Sequence, residues 1–175
     1  GDSTAPQPIR IRSMVGLLPI CAVEILKVET INKLPRFKKR MQWFLDHNSV
    51  FDKNVSCLEF GGGENDTPKM LLAIPSAERL ERVLKYLFDE DEFLSPFGLR
   101  SLSKVHRDTP YQLDYHGYSS TVGYVPAESN SYLFGGNSNW RGPIWFPVNY
   151  LIIEALEKYY YFFGDSLKVE LPTGS

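Results

Sequence analysis

The sequence predicts a mainly helical, all-α protein with long decorated loops and a small β-hairpin insertion. Apolar residues recur at three- and four-residue steps in several segments, and segments rich in Gly, Pro and Asn separate them. Hydrophobic residues make up 43% of the 175 residues, and the net charge is -2. This composition excludes a disordered chain and gives no basic footprint for nucleic acid or anionic lipid, so we expect neither as a partner.

The first half of the sequence predicts two helices followed by a long loop. Ser13 is a suitable N-cap, and apolar residues at helical spacing continue to Leu26, with a kink or a later start at Pro19. Pro35 begins a second helix that ends near His47. Residues 48–75 carry a glycine triplet and Asn-Asp-Thr-Pro, which predicts a loop with room for a short hairpin.

The second half predicts two further helices and a pair of strands. Ser76 caps a helix that carries apolar residues at helical spacing to Phe88. Residues 111–125 alternate loosely enough for one or two strands, with Gly117 and Gly123 at turns. A last helix begins near Pro147 and ends at Gly164, a residue suited to a left-handed C-cap.

Membrane and redox signals are weak in this sequence. The longest apolar stretch, Met14 to Val23, is far shorter than the roughly 20 residues that cross a bilayer. Cys21 and Cys57 are the two cysteines, and they are more typical of buried thiols in a reducing compartment than of a disulfide. We therefore expect a cytoplasmic protein without a membrane partner.

One nearly charge-free stretch, Ser131 to Asn149, is the best candidate for a binding site. Arg141 is its only charged residue, and aromatic, amide and glycine residues surround it. Aromatic faces pack on the C–H face of a sugar ring, amides and guanidinium bond to its hydroxyls, and glycines allow close backbone approach. The candidate substrate-binding residues are Asn137, Asn139, Trp140, Arg141, Gly142 and Trp145.

A purely structural interpretation of the same stretch stays open. Its tryptophans could form a hydrophobic plug beneath a loop, with Arg141 stacked on an aromatic ring. Glu128 lies just before the stretch and is a candidate carboxylate, but charged residues of this kind are more often solvated. The three histidines lack metal-ligand spacing. We assign no catalytic residue, no metal and no cofactor.

Several stretches resemble glycoside hydrolase family 63, which includes mannosyl-oligosaccharide glucosidases and mannosylglycerate hydrolases. Asn139 to Trp145 resembles the family's Trp-Arg-Gly-Pro-x-Trp signature, and Phe93 to Ser103 resembles its Ser-Pro-x-Gly-(Leu/Ile)-Arg-Ser-Leu loop. Arg12 to Pro19, Glu128 to Asn130 and Phe134 to Ser138 are similar to a branch of large microbial and fungal proteins. The resemblance favours a sugar-binding site over the purely structural interpretation of this stretch.

The resemblance implies an (α/α)6 barrel and an inverting hydrolase acting on an α-glucoside or α-mannoside. Inversion needs two carboxylates about 6.5–9.5 Å apart, and the family's acid and base motifs lie outside this sequence. We therefore expect residues 1–175 to be a fragment of a single catalytic domain that continues beyond both ends. Its partners would be a carbohydrate substrate and the remainder of its own barrel. Trp140 and Trp145 match family positions that line the subsite of the cleaved sugar, and Arg141 lies between them.

Two other functions stay open at this point. A non-catalytic carbohydrate-binding or scaffold protein could keep a degenerate glycosidase barrel. A self-standing interaction domain would instead unfold cooperatively as an isolated chain.

Overall fold

The computed structural model describes residues 9–47, 57–61, 68–115, 117–126 and 143–171. The chain divides into two units, each built from two separate stretches of sequence. We call Leu17–Phe88 with Phe146–Ser175 the sheet unit, and Gly1–Gly16 with Asp89–Trp145 the hairpin unit.

The sheet unit contains a three-stranded antiparallel sheet. Its strands are β1 (Val23–Lys27), β2 (Cys57–Gly61) and β3 (Lys69–Ala73), in the spatial order β1-β3-β2. Ala73 of the central strand lies opposite Val23 on one side and Cys57 on the other. Most of β3 is buried, as expected for a central strand whose side chains face covered surfaces.

Four α-helices belong to the described part of the sheet unit. They are α1 (Val28–Asn32), α2 (Pro35–His47), α3 (Ala77–Leu87) and α4 (Phe146–Phe163). The Ser76 side chain caps α3 by accepting a hydrogen bond from the Arg79 N–H at 3.4 Å. Gly164, with φ 52°, follows the last residue of α4. The predictions for α2, α3 and α4 are confirmed.

The core of the sheet unit lies where α3 and α4 bury their apolar faces with the sheet. α4 packs against β1 and against the short 3-10 turn that precedes this strand. The buried side chains of this core belong to β1 and β3, to that turn and the residue before it, and to helices α1, α3 and α4: Leu17, Ile20, Val23, Ile31, Met70, Leu71, Ala73, Leu80, Leu84, Leu87, Ile152, Ala155 and Tyr159.

Two lysines join α4 to the sheet. Lys158 Nζ lies 2.7 Å from a Glu24 carboxylate oxygen and 3.3 Å from the Val23 carbonyl oxygen. This hydrogen bond holds the pKa of Glu24 below its ordinary value. Lys69 is buried, and its Nζ lies 3.9 Å from the ring centroid of Tyr161, a cation–π contact.

The hairpin unit contains two short antiparallel hairpins. Strands β4 (Leu94–Ser95) and β5 (Gly98–Leu99) form the first hairpin. Strands β6 (Tyr111–Tyr115) and β7 (Tyr118–Val122) form the second. A 3-10 turn at Lys104–Arg107 lies between the hairpins in sequence. Gly117 has φ 82° before β7, so the predicted strands and the turn at Gly117 are confirmed. Gly123 follows β7 and does not lie in a turn, so that part of the prediction is wrong.

The prediction of an all-α fold is wrong. The described residues form three small antiparallel sheets beside four helices, one of which has five residues, and this is not plainly an (α/α)6 barrel. The predicted helix from Ser13 to Leu26 is replaced by two 3-10 turns and strand β1. Pro19 lies in the first turn of the second 3-10 segment, and the backbone of β1 pairs with β3 instead of with itself.

No described helix is both long enough and apolar enough to span a bilayer.

Candidate functional site

Two of the stretches that carry the family resemblance meet in the hairpin unit. The Ser101 N–H donates a hydrogen bond to the Pro143 carbonyl at 3.0 Å. Arg100 also pairs with Ile144 in an isolated antiparallel β-bridge. The segment that follows β5 is thereby attached to the end of the Trp-Arg-Gly-Pro-Ile-Trp stretch, although about 40 residues separate them in sequence.

The third stretch, near the start of the chain, joins the same segment. Met14 N–H donates to the Ser101 carbonyl and Ser103 N–H donates to the Arg12 carbonyl, each at 2.9 Å. Ser13 and Leu102 form an antiparallel bridge between these bonds. We call residues 12–14, 92–103 and 143–145 the junction, because main-chain hydrogen bonds connect all three.

The β4–β5 turn presents one aromatic side chain to solvent. Ser95 Oγ donates to the Gly98 carbonyl at 2.7 Å and accepts from the Phe97 N–H at 3.2 Å. Gly98 has φ 128°, a conformation that side chains disfavour. The turn is therefore ordered by its own residues, and it leaves Phe97 86% exposed.

Arg100 is a buried cation at the centre of the junction. Its residue is 8% exposed, and its Nη1 donates to the main-chain carbonyls of Glu90 at 3.0 Å, of Glu92 at 3.4 Å and of Leu94. Its Nε donates to the Tyr124 hydroxyl at 3.2 Å. Because several donors of one planar group are engaged, the guanidinium connects the turn before β4 to Tyr124.

Glu92 is the buried carboxylate of the junction. Its Oε1 pairs with Arg12 Nη1, its Oε2 accepts from the Ser103 hydroxyl, and the residue is 7% exposed. Glu92 ends a run of four acidic residues, 89–92, and a charge in such a run is usually solvated, whereas the fold buries this one. Since both carboxylate oxygens hold structural partners, Glu92 is occupied as an acceptor and does not have the exposure of a general acid or base.

Asp91 behaves as a surface residue beside this buried carboxylate. Its carboxylate lies 2.7 Å from Lys104 Nζ, and its side chain is 88% exposed. The hydrogen bond with Lys104, followed by the charge of that ammonium group, holds the pKa of Asp91 below its ordinary value.

His106 is a residue that sequence reasoning missed. It is 6% exposed; its Nε2 accepts a hydrogen bond from the Arg12 N–H at 2.9 Å, and its Nδ1 lies 3.2 Å from the Thr109 carbonyl. These partners suit a neutral ring with its proton on Nδ1. Because the first partner is 94 residues away in sequence, no local spacing could have identified it.

Of the predicted sugar-binding residues, Trp145 is described by the structure. It is half-buried and directly follows Ile144, which pairs with Arg100. Glu128 and five predicted contacts lie outside the described residues: Asn137, Asn139, Trp140, Arg141 and Gly142. Within the described ranges, no group of three His, Cys, Asp or Glu side chains could hold a metal ion.

Comparison with protein families gives a direct match to this part of the chain. Residues 62–170 match the Glycosyl hydrolase family 63 C-terminal domain. The matched range contains two of the three junction segments, 92–103 and 143–145.

Comparison with curated proteins finds fungal relatives. An uncharacterised protein of Saccharomyces cerevisiae is 46% identical over 177 residues, which cover 100% of this chain and 16% of that protein. A probable mannosyl-oligosaccharide glucosidase of Schizosaccharomyces pombe is 36% identical over 95 residues, 53% of this chain and 9% of that protein. The mannosyl-oligosaccharide glucosidase of Saccharomyces cerevisiae is 34% identical over 95 residues, 53% of this chain and 8% of that protein. No solved structure matches the chain.

Proposed function

We propose, since this chain belongs to glycosyl hydrolase family 63, that it contributes the wall of a sugar subsite to a glycosidase. The family match covers well over half of the chain. Two relatives carry the name mannosyl-oligosaccharide glucosidase, which supports a glycosidase-related function and a carbohydrate substrate.

The observation that carries the proposal is the meeting of the resemblance stretches at the junction. The hydrogen bond from the Ser101 N–H to the Pro143 carbonyl and the β-bridge between Arg100 and Ile144 hold the backbone of the two residues that precede Trp145. A rigid backbone next to aromatic side chains is what a preorganised sugar subsite requires.

The proposed contacts follow from the chemistry of the stretch. The tryptophans Trp140 and Trp145 pack on the sugar ring, and Arg141 with Asn137 and Asn139 bonds to hydroxyl groups. Gly142 leaves room for the ligand beside the backbone. The substrate is an α-glucoside or α-mannoside, and its hydrolysis inverts the anomeric centre.

The proposal divides the catalytic work between this chain and other residues. Glu92 is engaged by Arg12 and Ser103, so the proposed contribution of the junction is binding rather than proton transfer. The chain spans 16% of the length of the uncharacterised Saccharomyces cerevisiae protein. The activity of a whole protein, with its general acid and its general base, is therefore part of the proposal. We propose that these residues belong to a larger catalytic domain.

The test uses Trp140→Ala and Trp145→Ala in the full natural polypeptide that carries these residues. Hydrolysis of α-D-glucosyl fluoride and α-D-mannosyl fluoride is measured, because their small leaving group needs little beyond the subsite of the cleaved sugar. We expect each variant to lose about 10- to 1,000-fold in kcat/KM, as for the removal of one or two aromatic contacts from a binding site. Nuclear magnetic resonance of the first-formed anomer tests inversion.

Trp43→Ala is the matched control, since this tryptophan lies on α2 in the sheet unit and is 59% exposed. It should keep the wild-type kinetics. Unchanged turnover in both site variants would exclude the proposed contacts. Binding of glucose or mannose without hydrolysis by the wild type would favour the non-catalytic carbohydrate-binding alternative.

We also propose a cytoplasmic location, which rests on the small number of cysteines and on Cys21. Burial raises the pKa of the Cys21 thiol, so less of it is the reactive thiolate at neutral pH. Cell fractionation tests this location, and recovery in the secretory fraction with modified or oxidised thiols would contradict it.

A further inference from the structure

The proposed function gives Arg100 no role. Yet this residue is the buried cation at the centre of the junction. The desolvation of a guanidinium is unfavourable unless fixed acceptors replace its water. The Arg100 side chain donates to neutral acceptors, three main-chain carbonyls and the Tyr124 hydroxyl. The nearby Glu92 carboxylate is directed instead to Arg12 and Ser103. A buried cation held in this way fixes backbone geometry.

The backbone that Arg100 fixes is the one that holds the end of the proposed sugar site. Its side chain binds the turn at Glu90–Leu94, and its main chain pairs with Ile144. The adjacent Ser101 N–H binds the Pro143 carbonyl at 3.0 Å. Arg100 and the adjacent Ser101 therefore connect the loop before β4 to the two residues that precede Trp145.

We propose that Arg100 is a positioning residue of the proposed sugar subsite, acting through the backbone of Pro143 and Ile144 to set the place of Trp145. The inference rests on the proposed function. Arg100 does not contact the sugar. It determines the position of the Trp145 ring relative to the sugar. Misplacement of a binding group by about 1 Å can reduce a rate by roughly 100-fold, even when the change lies away from the reacting atoms.

The shape of the guanidinium, rather than its charge, is what this role needs. Lysine would keep the positive charge but offers one compact ammonium group, which cannot bind the carbonyls and the Tyr124 hydroxyl in the same planar geometry. Arg100→Met removes the charge and every donor while keeping an apolar stem. Tyr124→Phe removes one acceptor of the Arg100 Nε and leaves the guanidinium in place.

The experiment measures kcat, KM and the thermal melting of the full natural polypeptide with α-D-glucosyl fluoride and α-D-mannosyl fluoride. We expect kcat/KM to fall about 100-fold in Arg100→Met, about 10-fold or more in Arg100→Lys and roughly 3- to 10-fold in Tyr124→Phe. Kinetics are recorded well below the melting temperature and per folded molecule. A merely structural role would lower melting and leave those kinetic constants unchanged.

Arg107→Lys and Arg107→Met are the matched controls, because Arg107 lies in the same unit with its side chain 57% exposed beside Asp108. They should keep both melting and kinetics. If the Arg100 variants do not fold, the kinetics of Tyr124→Phe test the positioning role instead. This variant deletes a single hydroxyl from a half-buried residue.

Three outcomes separate this inference from the function on which it rests. Wild-type kinetics in Arg100→Lys and Tyr124→Phe, with the tryptophan variants impaired, would overturn the positioning role and leave the function standing. If the wild-type protein neither binds nor hydrolyses either fluoride, the proposed function is excluded. The positioning role, which rests on that function, is then excluded as well. Impaired, folded Arg100→Lys beside unchanged Arg107→Lys is the result that supports the inference.

Discussion

Glu92→Gln changes one charge in the buried part of the junction while keeping the size of the side chain. The Glu92 side chain is 10% exposed, and its two oxygens bind the Arg12 guanidinium and the Ser103 hydroxyl. In the variant, one oxygen becomes an amide NH2 group and the other a neutral carbonyl oxygen, so both partners lose a charged acceptor and one of them faces a donor. The hydroxyl of Ser103 can turn to accept from the amide, whereas the guanidinium of Arg12 cannot.

The partial exposure of Arg12 determines how much of the free energy of opening Glu92→Gln loses. Hydrogen bonds to charged groups contribute about 1.5–3 kcal/mol, and a buried ion pair that loses one partner costs about 3–5 kcal/mol. The Arg12 side chain is 51% exposed, so water replaces part of the lost interaction. We therefore expect a loss of about 2 kcal/mol in the free energy of opening, or roughly a 30-fold larger opening constant.

Amide hydrogen exchange followed by mass spectrometry measures this opening directly in the full natural polypeptide. Peptides that cover residues 89–107 should exchange roughly 30-fold faster in Glu92→Gln, because local opening precedes exchange of their hydrogen-bonded amides. Asp91→Asn is the control: the adjacent carboxylate forms an exposed pair with Lys104, worth about 1 kcal/mol or less.

The reasoning is refuted if Glu92→Gln accelerates exchange no more than Asp91→Asn does. Arg12→Met, alone and combined with Glu92→Gln, adds a second check. The two changes should be non-additive, since they remove the same ion pair.

Two further predictions concern the backbone and the pH dependence of stability. Gly98→Ala should cost about 1–3 kcal/mol, because φ 128° strains any residue with a Cβ, and Gly16→Ala, with no atom near its added Cβ, should cost less. Denaturation of both variants checks this, and equal losses would contradict it. The pKa of Glu24 is lowered from 4.5 by Lys158, so this pair stabilises the fold above that pH and loses its effect as pH falls through the lowered pKa. Lys158→Met should therefore cost about 0.5 kcal/mol near neutral pH and less near pH 3 by thermal melting, and an equal loss at both would refute the assignment.

The helices that the sequence predicted correctly are those whose signals are local. α3 has its cap at Ser76 and apolar residues at helical spacing, and α4 lies between Pro147 and Gly164. The interaction that defines such a helix joins residues three or four positions apart, so a short window of sequence contains it.

β1 was mistaken for a helix because its defining partner is remote. Val23 pairs with Ala73, and the apolar residues of this short strand fit helical spacing as well as strand alternation. A window of sequence around β1 contains no sign of β3. The all-α prediction failed for the same reason, since antiparallel pairing is a non-local interaction.

The sequence predicted where the candidate site lies, but it did not predict the contacts behind that site. Its aromatic, nearly charge-free composition and the Trp-Arg-Gly-Pro-Ile-Trp order indicated Trp145, while the network behind it depends on long-range pairs. Glu92 and Arg12 are 80 residues apart, and His106 and Arg12 are 94 residues apart. Glu92 and His106 each resemble an ordinary surface polar residue in the sequence, and only the fold buries them beside Arg12.

The alternation of the two units along the chain has a consequence for synthesis on the ribosome. The sheet unit is interrupted by Asp89–Trp145, and α4, which packs against β1, comes after this interruption. The Lys158 partner of Glu24 emerges 134 residues after it. At about 5–20 residues per second, the roughly 60 residues between α3 and α4 take about 3–12 s to translate. During that interval the apolar side chains of β1 that α4 covers in the folded chain lack this helix, and transient apolar surface of this kind is what chaperones generally protect.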